Sequence, residues 1–438
     1  MKQKTGFLSG WLSELFYRSI DTIDSWLGLP ESVSKTLLYR RHWQHYLSSE
    51  ALSSSSKSAI WVHGASVGEL EDLAGLFLDL KRLGQLSVTP ESLILTGSSA
   101  SVENRLKQWN QRMNFRFAGP LPPENSREID SFISLLRPKI LVISQNDLWP
   151  QLLNRLNHAE DFRGIIWLPA GKEKLPKFTD TLRQSKLLGV GFRSQADLNR
   201  WRHRFPDLQS DLRIIGNPRI DRILSRIQDC VLDPEGHILT DYSARPNPEK
   251  LSIILGSAWR DDAEIWRRAL DIIDASSREK IQLVVLPHDA DNLHEVASIR
   301  QLLPEARVLA LEGVLLESYQ DFKIAYVGGG FGAGLHNILE PLLWKIPIVS
   351  GPKISNQSDA ERLRSEGTLQ VISNPRELAD LLKNSLSDIK SDSPDFFKNW
   401  ENKAIQDSLH FEESRGAIDR LGTFIHDLSS NGGIRERH

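Results

Sequence analysis

Three shortages in the sequence each exclude a class of protein or site. Cys230 is the only cysteine among 438 residues, so an intrachain disulfide, a thiolate metal cluster and a haem attachment motif are all excluded. No apolar run approaches the roughly 18 residues of a membrane-spanning helix. The net charge of −3 provides no basic field that would attract nucleic acid. The length instead favours two globular domains, at roughly 100–200 residues for each.

The first 30 residues carry an amphipathic helical pattern and lack the apolar core and cleavage site of a signal peptide. Apolar side chains recur there at three- and four-residue spacing, which is one face of a helix. This face suits a helix lying in a membrane interface, and the basic and aromatic stretch 37–47 would meet anionic lipid. The alternative is a helix packed on its own domain. The apolar residues are Phe7, Leu8, Trp11, Leu12, Leu15, Phe16, Ile20, Ile23, Trp26 and Leu27.

Short apolar runs alternate with amphipathic helical patterns from about residue 58 onward. Continuous apolar runs of this kind are typical of buried parallel strands. The alternation therefore predicts an α/β protein with two Rossmann-like, doubly wound halves. The first half has runs at 58–64, 92–97, 138–144, 164–169, 187–192 and 212–216. The second half has runs at 251–257, 281–287, 306–311, 323–329, 346–351 and 368–373.

A Pro-, Asp- and Ser-rich stretch between the two series predicts a linker. Ligands of doubly wound sheets bind outside the carboxyl ends of the strands, so we expect the two halves to face each other across a cleft. The predicted parts are a membrane-proximal helical segment (1–50), a first domain (51–225), the linker (226–250), a second domain (251–393) and a helical tail (394–438).

The stretch "HGASVGELE" (63–71) follows the first predicted strand and opens a helix. Gly64 and Gly68 allow the backbone to approach a ligand closely, and Ser66 can cap the helix. Glu69 stands three residues after Ser66, which fits a capping box. It equally fits a general base at the mouth of the cleft, with a pKa raised by partial burial. Spacing alone leaves both interpretations open.

Two further stretches lie at predicted carboxyl ends of strands. In "GNPRID" (216–221), Arg219 is either a surface residue of a turn or a bidentate partner for a phosphate in the cleft. In "LGSAWRDDAE" (255–264), Ser257 precedes a helix start suited to a phosphate. Asp261 and Asp262 are expected to be first-turn partners of the helix dipole.

The stretch "VVLPHDADN" (284–292) ends a buried strand at Pro287 and His288. Its "DAD" resembles an acidic pair for Mg²⁺ and diphosphate, but no supporting cluster of ligands accompanies it. We therefore expect no metal site here.

The stretch "GGGFGAGLHNILE" (328–340) combines glycines with three polar residues at a helix start. Gly330 and Gly334 belong to a loop whose backbone N–H groups are expected to approach phosphate or carboxylate oxygens. His336, Asn337 and Glu340 are expected near one side of the helix start. A carboxylate at Glu340 could accept from both hydroxyls of a ribose. The alternative is a glycine-rich loop with a capping Asn.

Together these motifs resemble those of the Kdo transferases, which attach 3-deoxy-D-manno-octulosonic acid (Kdo) to a lipid A precursor. The resemblance covers about residues 58–380, and its motifs occur in family order. The resemblance implies the GT-B fold, a CMP-Kdo donor held by the second half and a membrane-embedded acceptor held by the first. The most specific of the motifs is "GGGFGAGLHNILEPLLWKIPIVSGP", joined by "HGASVGE", "LWP", "GNPRID", "GSAW" and "LPH".

The resemblance also implies roles for single residues. Glu69 matches the glutamate that the family uses as general base, near Ser66 and Gly68 on the acceptor side. Arg219, where the family usually has Lys, would neutralise the phosphate of the leaving CMP. No metal or other cofactor enters that scheme, and the site would be the cytoplasmic face of the inner membrane. The donor pocket would be lined by Ser257, Pro287, His288, Gly330, Gly334, His336, Asn337 and Glu340.

The sequence departs from the family pattern mainly in its first half. Gln145 and Asp147 stand where the family usually has two Glu before "LWPN", and Gln151 replaces the Asn of that motif. The stretch "PAGKE" (Pro169–Glu173) replaces the family's "NARLS". These departures indicate a retained donor with a changed acceptor or a changed number of transfers. The alternatives are a GT-B glycosyltransferase or epimerase with another nucleotide sugar, and a non-catalytic membrane-associated binding protein.

Overall fold

The computed structural model describes most of the chain outside its two ends and several internal stretches. None of the helices in the described part combines the length and the apolarity needed to cross a bilayer. The proposed amphipathic helix in the first 30 residues lies outside this part. The described residues are 31–47, 59–85, 87–144, 147–168, 185–208, 210–232, 244–311, 313–332, 334–355, 357, 359–389 and 396–430.

Contacts divide the chain into two compact units, each built on its own parallel sheet. The first unit consists of residues 1–222 and 416–438, and the second of residues 223–415. The α/β architecture of two parallel sheets predicted from the apolar runs is thus confirmed.

The first unit contains a seven-stranded sheet in the order β3-β2-β1-β4-β5-β6-β7. All of its strand pairs are parallel. The strand order reverses between β1 and β4, which is the topological switch point where such sheets bind ligands. The strands are β1 (Ala59–Gly64), β2 (Leu93–Gly97), β3 (Phe117–Pro120), β4 (Pro138–Ser144), β5 (Gly164–Leu168), β6 (Leu187–Phe192) and β7 (Asp211–Ile214).

Helices connect the strands of the first unit and cover both faces of its sheet. They are α1 (Glu31–Arg41), α2 (Val67–Asp72), α3 (Ala74–Phe77), α4 (Leu80–Gln85), α5 (Glu103–Met113), α6 (Ser126–Leu136), α7 (Pro150–Asn157) and α8 (Gln195–Arg204), followed by α9 (Pro218–Leu232), which begins in this unit and continues into the second. The described part of this unit also has short 3-10 helices at Trp43–Tyr46, Pro90–Ser92 and Ala100–Val102.

The second unit repeats the plan with a six-stranded sheet in the order β10-β9-β8-β11-β12-β13, again with its switch point beside the first strand. Its strands are β8 (Leu251–Ala258), β9 (Ile281–Pro287), β10 (Arg307–Val308), β11 (Ile324–Val327), β12 (Ile348–Ser350) and β13 (Leu369–Val371). Its helices are α10 (Arg260–Ile272), α11 (Ala275–Arg278), α12 (Leu293–Leu302), α13 (Leu315–Ser318), α14 (Leu339–Leu343), α15 (Ala360–Glu366), α16 (Pro375–Ile389) and α17 (Phe396–Glu412).

Alternate residues of the central strands bury into two different cores, one on each face of the sheet. In β4, Ile140 and Val142 join one core, while Leu141 and Ile143 join the other. The same alternation separates Ile253 from Ile254 in β8. Since strand side chains alternate with a period of two, a strand with helices on both faces is apolar throughout. This explains why the runs were readable in the sequence.

Two local expectations about the first unit were wrong. A single helix was expected to begin in "HGASVGELE", but the chain forms the three short helices α2, α3 and α4 there. Strand β3 was missed, because "FAGP" is only four residues long and ends in Gly-Pro. It is recognisable only through its pairing with β2, in which Leu95 lies opposite Ala118.

The two compact units divide the chain at other positions than the sequence pattern predicted. α9 continues through Leu232, across the boundary predicted at 225. In the predicted tail, α17 belongs to the second unit, whereas α18 (Ala417–Ser430) belongs to the first. The amide of Gly416 just before α18 donates to Asp221 of α9 at 2.7 Å.

Candidate functional site

The switch point of the first unit brings the carboxyl ends of β1 and β4 together. Val62 lies opposite Val142 and His63 opposite Ile143 in this parallel pair. The segments that follow carry Ser66 and Glu69 on one side and Asp147 on the other. The edge at which ligands of doubly wound sheets bind is therefore lined with polar residues in this unit.

Glu69 stands in the first turn of α2, and its main chain and side chain have separate partners. Its amide donates to Ser66 Oγ at 3.4 Å, so Ser66 is the N-cap residue as the spacing predicted. A capping box would direct the Glu69 carboxylate to the amide of Ser66. Its Oε2 instead accepts from the amide of Ala65 at 2.8 Å. The carboxylate is thus oriented by one hydrogen bond in a half-buried position.

Burial raises the pKa of the Glu69 carboxyl, and the hydrogen bond from the Ala65 amide opposes this rise only in part. The negative charges of Asp147 and Asp72 add to the rise. The direction agrees with the expectation from the sequence. A carboxylate with a raised pKa is better suited to accept a proton near neutral pH. Catalysis by Glu69 stays a prediction.

His63 and Asp147 form a hydrogen-bonded cluster that the sequence reasoning did not recognise. His63 is 1% exposed, and its Nε2 lies 2.8 Å from Asp147 Oδ2, which also accepts from Ser98 Oγ at 2.6 Å. Burial acts to raise the pKa of Asp147, but the bonds from His63 and Ser98 outweigh it and hold the pKa below its usual range. Asp147, noted above only as a departure, is therefore an ionised member of the candidate site. A His at the carboxyl end of a switch-point strand was the available signal.

The other ring nitrogen of His63 contacts the neighbouring strand. Thr96 Oγ1 accepts from Trp61 Nε1 at 2.7 Å and lies 2.8 Å from His63 Nδ1. Because the Trp N–H can only donate, the single hydroxyl proton of Thr96 is available for His63 Nδ1. The proton of a neutral His63 then lies on Nε2, towards Asp147. This assignment agrees with the depressed pKa of Asp147.

Arg219 lies in the first turn of α9, and its side chain contacts α2. Its Nε donates to Asp72 Oδ2 at 2.9 Å, and Arg222 donates to Glu71 Oε2 at 2.6 Å. Asp72 is 6% exposed, so this pairing balances a buried charge. A phosphate contact by Arg219 stays a prediction. The guanidinium that would make this contact already binds the carboxylate of Asp72.

A small cavity of about 20 Å³ lies beside this ion pair, at the carboxyl ends of β4 to β7. The polar groups in its wall include Asp72, Ser144, Arg193 and Asn217. Its volume is about that of a single water-sized probe. It therefore has room for one water molecule but not for a sugar ring.

In the second unit, the loop after β11 packs through glycine against the end of β8 and against the residue that follows β12. A Cβ on Gly328 would lie 2.1 Å from the backbone oxygen of Ser257. A Cβ on Gly330 would lie 2.6 Å from the amide nitrogen of Gly351. Ser257, next to last in β8, has a φ of 51°, in the left-handed region that glycine favours, so the end of this strand is strained. The glycines are required for contact between loops, whatever they contribute to a ligand.

The glycine loop uses much of its own hydrogen-bonding capacity, which corrects the expectation that its amides point at a ligand. The amides of Gly332 and Gly334 both donate to the carbonyl of Gly329, at 3.0 and 2.9 Å. The amide of His336 donates to the carbonyl of Gly328 at 3.2 Å. These three N–H groups form a compact turn. Because their acceptors lie within the loop, these three amides are already engaged and do not point at a phosphate.

Asp262 holds the two loops of this switch point together. Its side chain is 0% exposed, and its Oδ2 accepts from the amides of Trp259 at 3.0 Å and Gly329 at 2.9 Å. Its Oδ1 accepts from Tyr326 Oη at 2.6 Å. Burial raises the pKa of the Asp262 carboxyl, against the effect of these bonds. The expectation of a simple dipole partner was incomplete, because Asp262 also connects β8, α10 and β11.

Three of the predicted donor residues separate into two groups in the structure. Asn337 Nδ2 donates to Glu340 Oε1 at 2.9 Å, and Asn337 Oδ1 accepts from the amide of Leu339 at 3.1 Å. His336 contacts Trp259 and His288 instead. Asn337 and Glu340 therefore form a pair, and Asn337 also caps the turn, while a shared side for all three residues stays a prediction.

The remaining predicted donor residues lie around the same edge. Pro287 is the last residue of β9, and the amide of His288 donates to the carbonyl of Ala258 at 3.0 Å. Among the described residues, no group of three or more His, Cys, Asp or Glu side chains could hold a metal ion. Gln145 and Pro169–Glu173 lie outside the described part of the chain, so their effect on the acceptor stays a prediction.

Comparison with known proteins identifies similar sequences along most of the chain. Residues 40–161 match the family model described as 3-deoxy-D-manno-octulosonic-acid transferase. A protein of Aquifex aeolicus named 3-deoxy-D-manno-octulosonic acid transferase is 25% identical over 349 residues, 76% of this chain and 87% of its own length. The protein of that name from Chlamydia pneumoniae is 27% identical over 349 residues, 70% of this chain and 72% of its own.

Comparison of folds identifies a further similarity. The structure of UDP-GlcNAc 2-epimerase from Neisseria meningitidis bound to UDP-GlcNAc matches with a TM-score of 0.58. The match covers 85% of this chain and 99% of that protein at 11% identity. At such low identity the match concerns the fold alone, and it confirms the predicted architecture of two Rossmann-like units.

Proposed function

Because this chain is related to the Kdo transferases over most of its length, we propose that it is an inverting glycosyltransferase that moves Kdo from CMP-Kdo to a lipid A precursor. The observation that supports this proposal most strongly is the position and environment of Glu69. Glu69 retains the position of the family's base in "HGASVGE", at the switch-point edge and with a raised pKa. A half-buried carboxylate held by one amide can keep its orientation while it receives a proton.

The proposed reaction is a single displacement. Glu69 takes the proton from the primary hydroxyl of the acceptor as that oxygen forms a bond to the anomeric carbon of Kdo. The bond from this carbon to the phosphate oxygen breaks at the same time, and CMP leaves with the electron pair. Attack from the face opposite to the leaving group inverts the configuration. Ser66, the N-cap of α2, and Gly68, in the first turn of that helix, are neighbours of the base in the sequence and would border the acceptor.

The donor would be bound by the second unit. Ser257, Pro287 and His288 end or follow its first two strands, where a nucleotide binds in doubly wound sheets. Gly330 would border the sugar-phosphate through its backbone, and Gly334, whose amide donates to Gly329, would shape the loop around it. Asn337 orients Glu340, whose carboxylate would accept from the ribose hydroxyls. His336 would contribute a hydrogen bond.

The charge on the leaving CMP would be balanced by a side chain and not by a metal. Arg219 is the proposed partner, and its Nε contact with Asp72 fixes the orientation of the guanidinium plane. We propose that neither a metal ion nor another cofactor takes part.

The proposal is tested by the products formed from CMP-Kdo and a lipid A precursor. The purified full-length chain is expected to produce lipid with added Kdo, which mass spectrometry of the lipid detects. Calorimetry should show binding of CMP and no comparable binding of UDP. Binding of UDP without CMP would identify another nucleotide sugar as the donor. Binding of CMP without any transfer would indicate a binding protein on this scaffold.

We further propose that the chain works at the cytoplasmic face of the inner membrane, anchored by its amphipathic first 30 residues. Deletion of these residues is expected to reduce sedimentation with anionic liposomes, because the apolar helix face is lost. Replacement of Trp11 and Trp26 by Gln in the full chain is a milder version of the same test. Unchanged sedimentation of both variants would refute this localisation.

A further inference from the structure

Three rings from three loops of the second unit form a stack beside its switch point. The rings of Trp259 and His288 are 4.5 Å apart between centroids, and those of His288 and His336 are 4.2 Å apart. The planes of neighbouring rings differ by 26° and 16°. Trp259 follows β8, His288 follows β9 and His336 follows β11. The stack therefore joins the three strand ends around which the donor is proposed to bind.

The stack contains a hydrogen bond that determines where the proton of His336 lies. Trp259 Nε1 is 2.8 Å from His336 Nε2. An indole N–H can donate but cannot accept, so His336 Nε2 must carry a lone pair. A neutral imidazole with a free Nε2 carries its proton on Nδ1.

The backbone at Gly329 shows which edge of the His336 ring is packed against the protein. A Cβ on Gly329 would lie 2.9 Å from His336 Cδ2 and 3.1 Å from Nε2. The Cδ2–Nε2 edge of the ring therefore packs against Gly329. Nδ1 lies on the opposite edge of the ring, away from this contact.

We propose that Trp259 is a positioning residue that fixes the tautomer of His336, so that His336 binds the donor as a neutral imidazole through its Nδ1–H. In this arrangement the ring contributes a directed hydrogen bond to an anionic oxygen and no positive charge. Identification of the ligand as a CMP-sugar rests on the proposed function, whereas the tautomer does not depend on it.

The surrounding groups favour the neutral ring. Burial and, to a smaller extent, the neighbouring His288 together lower the pKa of His336 to about 4. Burial also lowers the pKa of His288, although Asp289 opposes this. Asp262 accepts from the amides of Trp259 and Gly329. Asp261 approaches the same loop at Gly332.

The test uses nitrogen NMR of the ligand-free full-length protein labelled with ¹⁵N-histidine. In the wild type, His336 is expected to show the Nδ1–H tautomer and to stay neutral down to about pH 5. In Trp259→Phe, the hydrogen bond is lost while stacking remains. The ring should then become a mixture of tautomers, and its pKa should rise, because the hydrogen bond to the lone pair of the neutral ring is lost. The signal is assigned with His336→Gln and His288→Gln.

Trp266→Phe is the matched control. Trp266 belongs to the same unit, and its buried Nε1 has no hydrogen-bond partner. Its replacement should leave the His336 signals unchanged. An Nε2–H tautomer in the wild type, or identical His336 signals in Trp259→Phe, would overturn the assignment. A merely structural role of Trp259 predicts the same tautomer in both proteins.

Binding of CMP tests the consequence for the ligand. Because the variant ring can gain a charge, its CMP affinity relative to wild type should rise about tenfold as the pH falls from about 8 to about 5.5. The ratio between the two proteins cancels the titration of the CMP phosphate itself. A ratio that does not change with pH would contradict a ligand contact by His336. Absence of CMP binding to either protein would instead contradict the proposed donor and leave the tautomer standing.

Discussion

Replacement of Glu69 by Gln is expected to lower kcat for Kdo transfer by about 10²–10⁴ and to leave the fold intact. Gln is isosteric with Glu, and its amide oxygen can still accept from the Ala65 amide, 2.8 Å from Oε2 in the wild type. The variant therefore loses the ability to accept a proton and little else. Steady-state assays with CMP-Kdo should show an unchanged KM for the donor.

The pH dependence of the wild type gives a second measurement of the same role. Because burial raises the pKa of Glu69, the acid limb of kcat/KM should lie at a higher pH than for an ordinary glutamate. Activity is lost as the pH falls through this pKa, since the protonated carboxyl cannot act as a base. Gln at this position should remove that limb from the residual activity.

Glu71→Gln is the matched control for Glu69, because it makes the same chemical change on the same helix. The Glu71 carboxylate is bound by Arg105 and Arg222, each at 2.6 Å, so it is not available as a base. Its replacement should reduce stability modestly and activity by less than about threefold, the range of small structural effects. Equal losses from both variants, or full activity of Glu69→Gln, would exclude the general-base assignment.

Replacement of Asp262 by Ala should have the largest effect on stability, lowering the unfolding free energy of the second unit by about 3–5 kcal/mol. The change removes the acceptor of two amides and one hydroxyl, contributed by Trp259, Gly329 and Tyr326. Each buried donor left without a partner costs about 1–3 kcal/mol. Hydrogen exchange should show faster exchange at β8 and β11 than in the wild type.

Two further variants distinguish the hydrogen bonds of Asp262 from its negative charge and from its location at the helix start. Asp262→Asn keeps one oxygen for the amides of Trp259 and Gly329, and its NH₂ group can donate to Tyr326 Oη. It should therefore lose much less stability than Asp262→Ala. Asp261→Ala removes an exposed acid from the same helix turn and should cost about 0.3–1 kcal/mol. Equal exchange rates in Asp262→Ala and Asp261→Ala would show that the three bonds do not stabilise the unit.

The sequence was sufficient for features that depend on residues close together in the chain. The central strands β1, β4, β8 and β9 were readable as apolar runs because both faces of each sheet are covered. The Ser66 cap was readable from its position before a helix start. The glycine requirement at Gly328 was foreseeable as a close approach, although its contact turned out to be Ser257.

Features that join distant residues were decided by the tertiary structure. His63 and Asp147 are 84 positions apart, and only the pairing of β1 with β4 brings their loops together. Asp262 and Gly329 are 67 positions apart and meet because β8 pairs with β11. A residue pattern carries no information on such partners, since the partner is set by strand order and register.

The sequence by itself thus determined the α/β class, the switch-point loops and the position of Glu69, because apolar periodicity and turn residues act locally. Only the tertiary structure decided that Asp147 is held ionised by His63 and Ser98. It likewise decided that His336 accepts from Trp259. The physical reason is that protonation and tautomer depend on the atoms surrounding a group, and folding brings those atoms from distant strands.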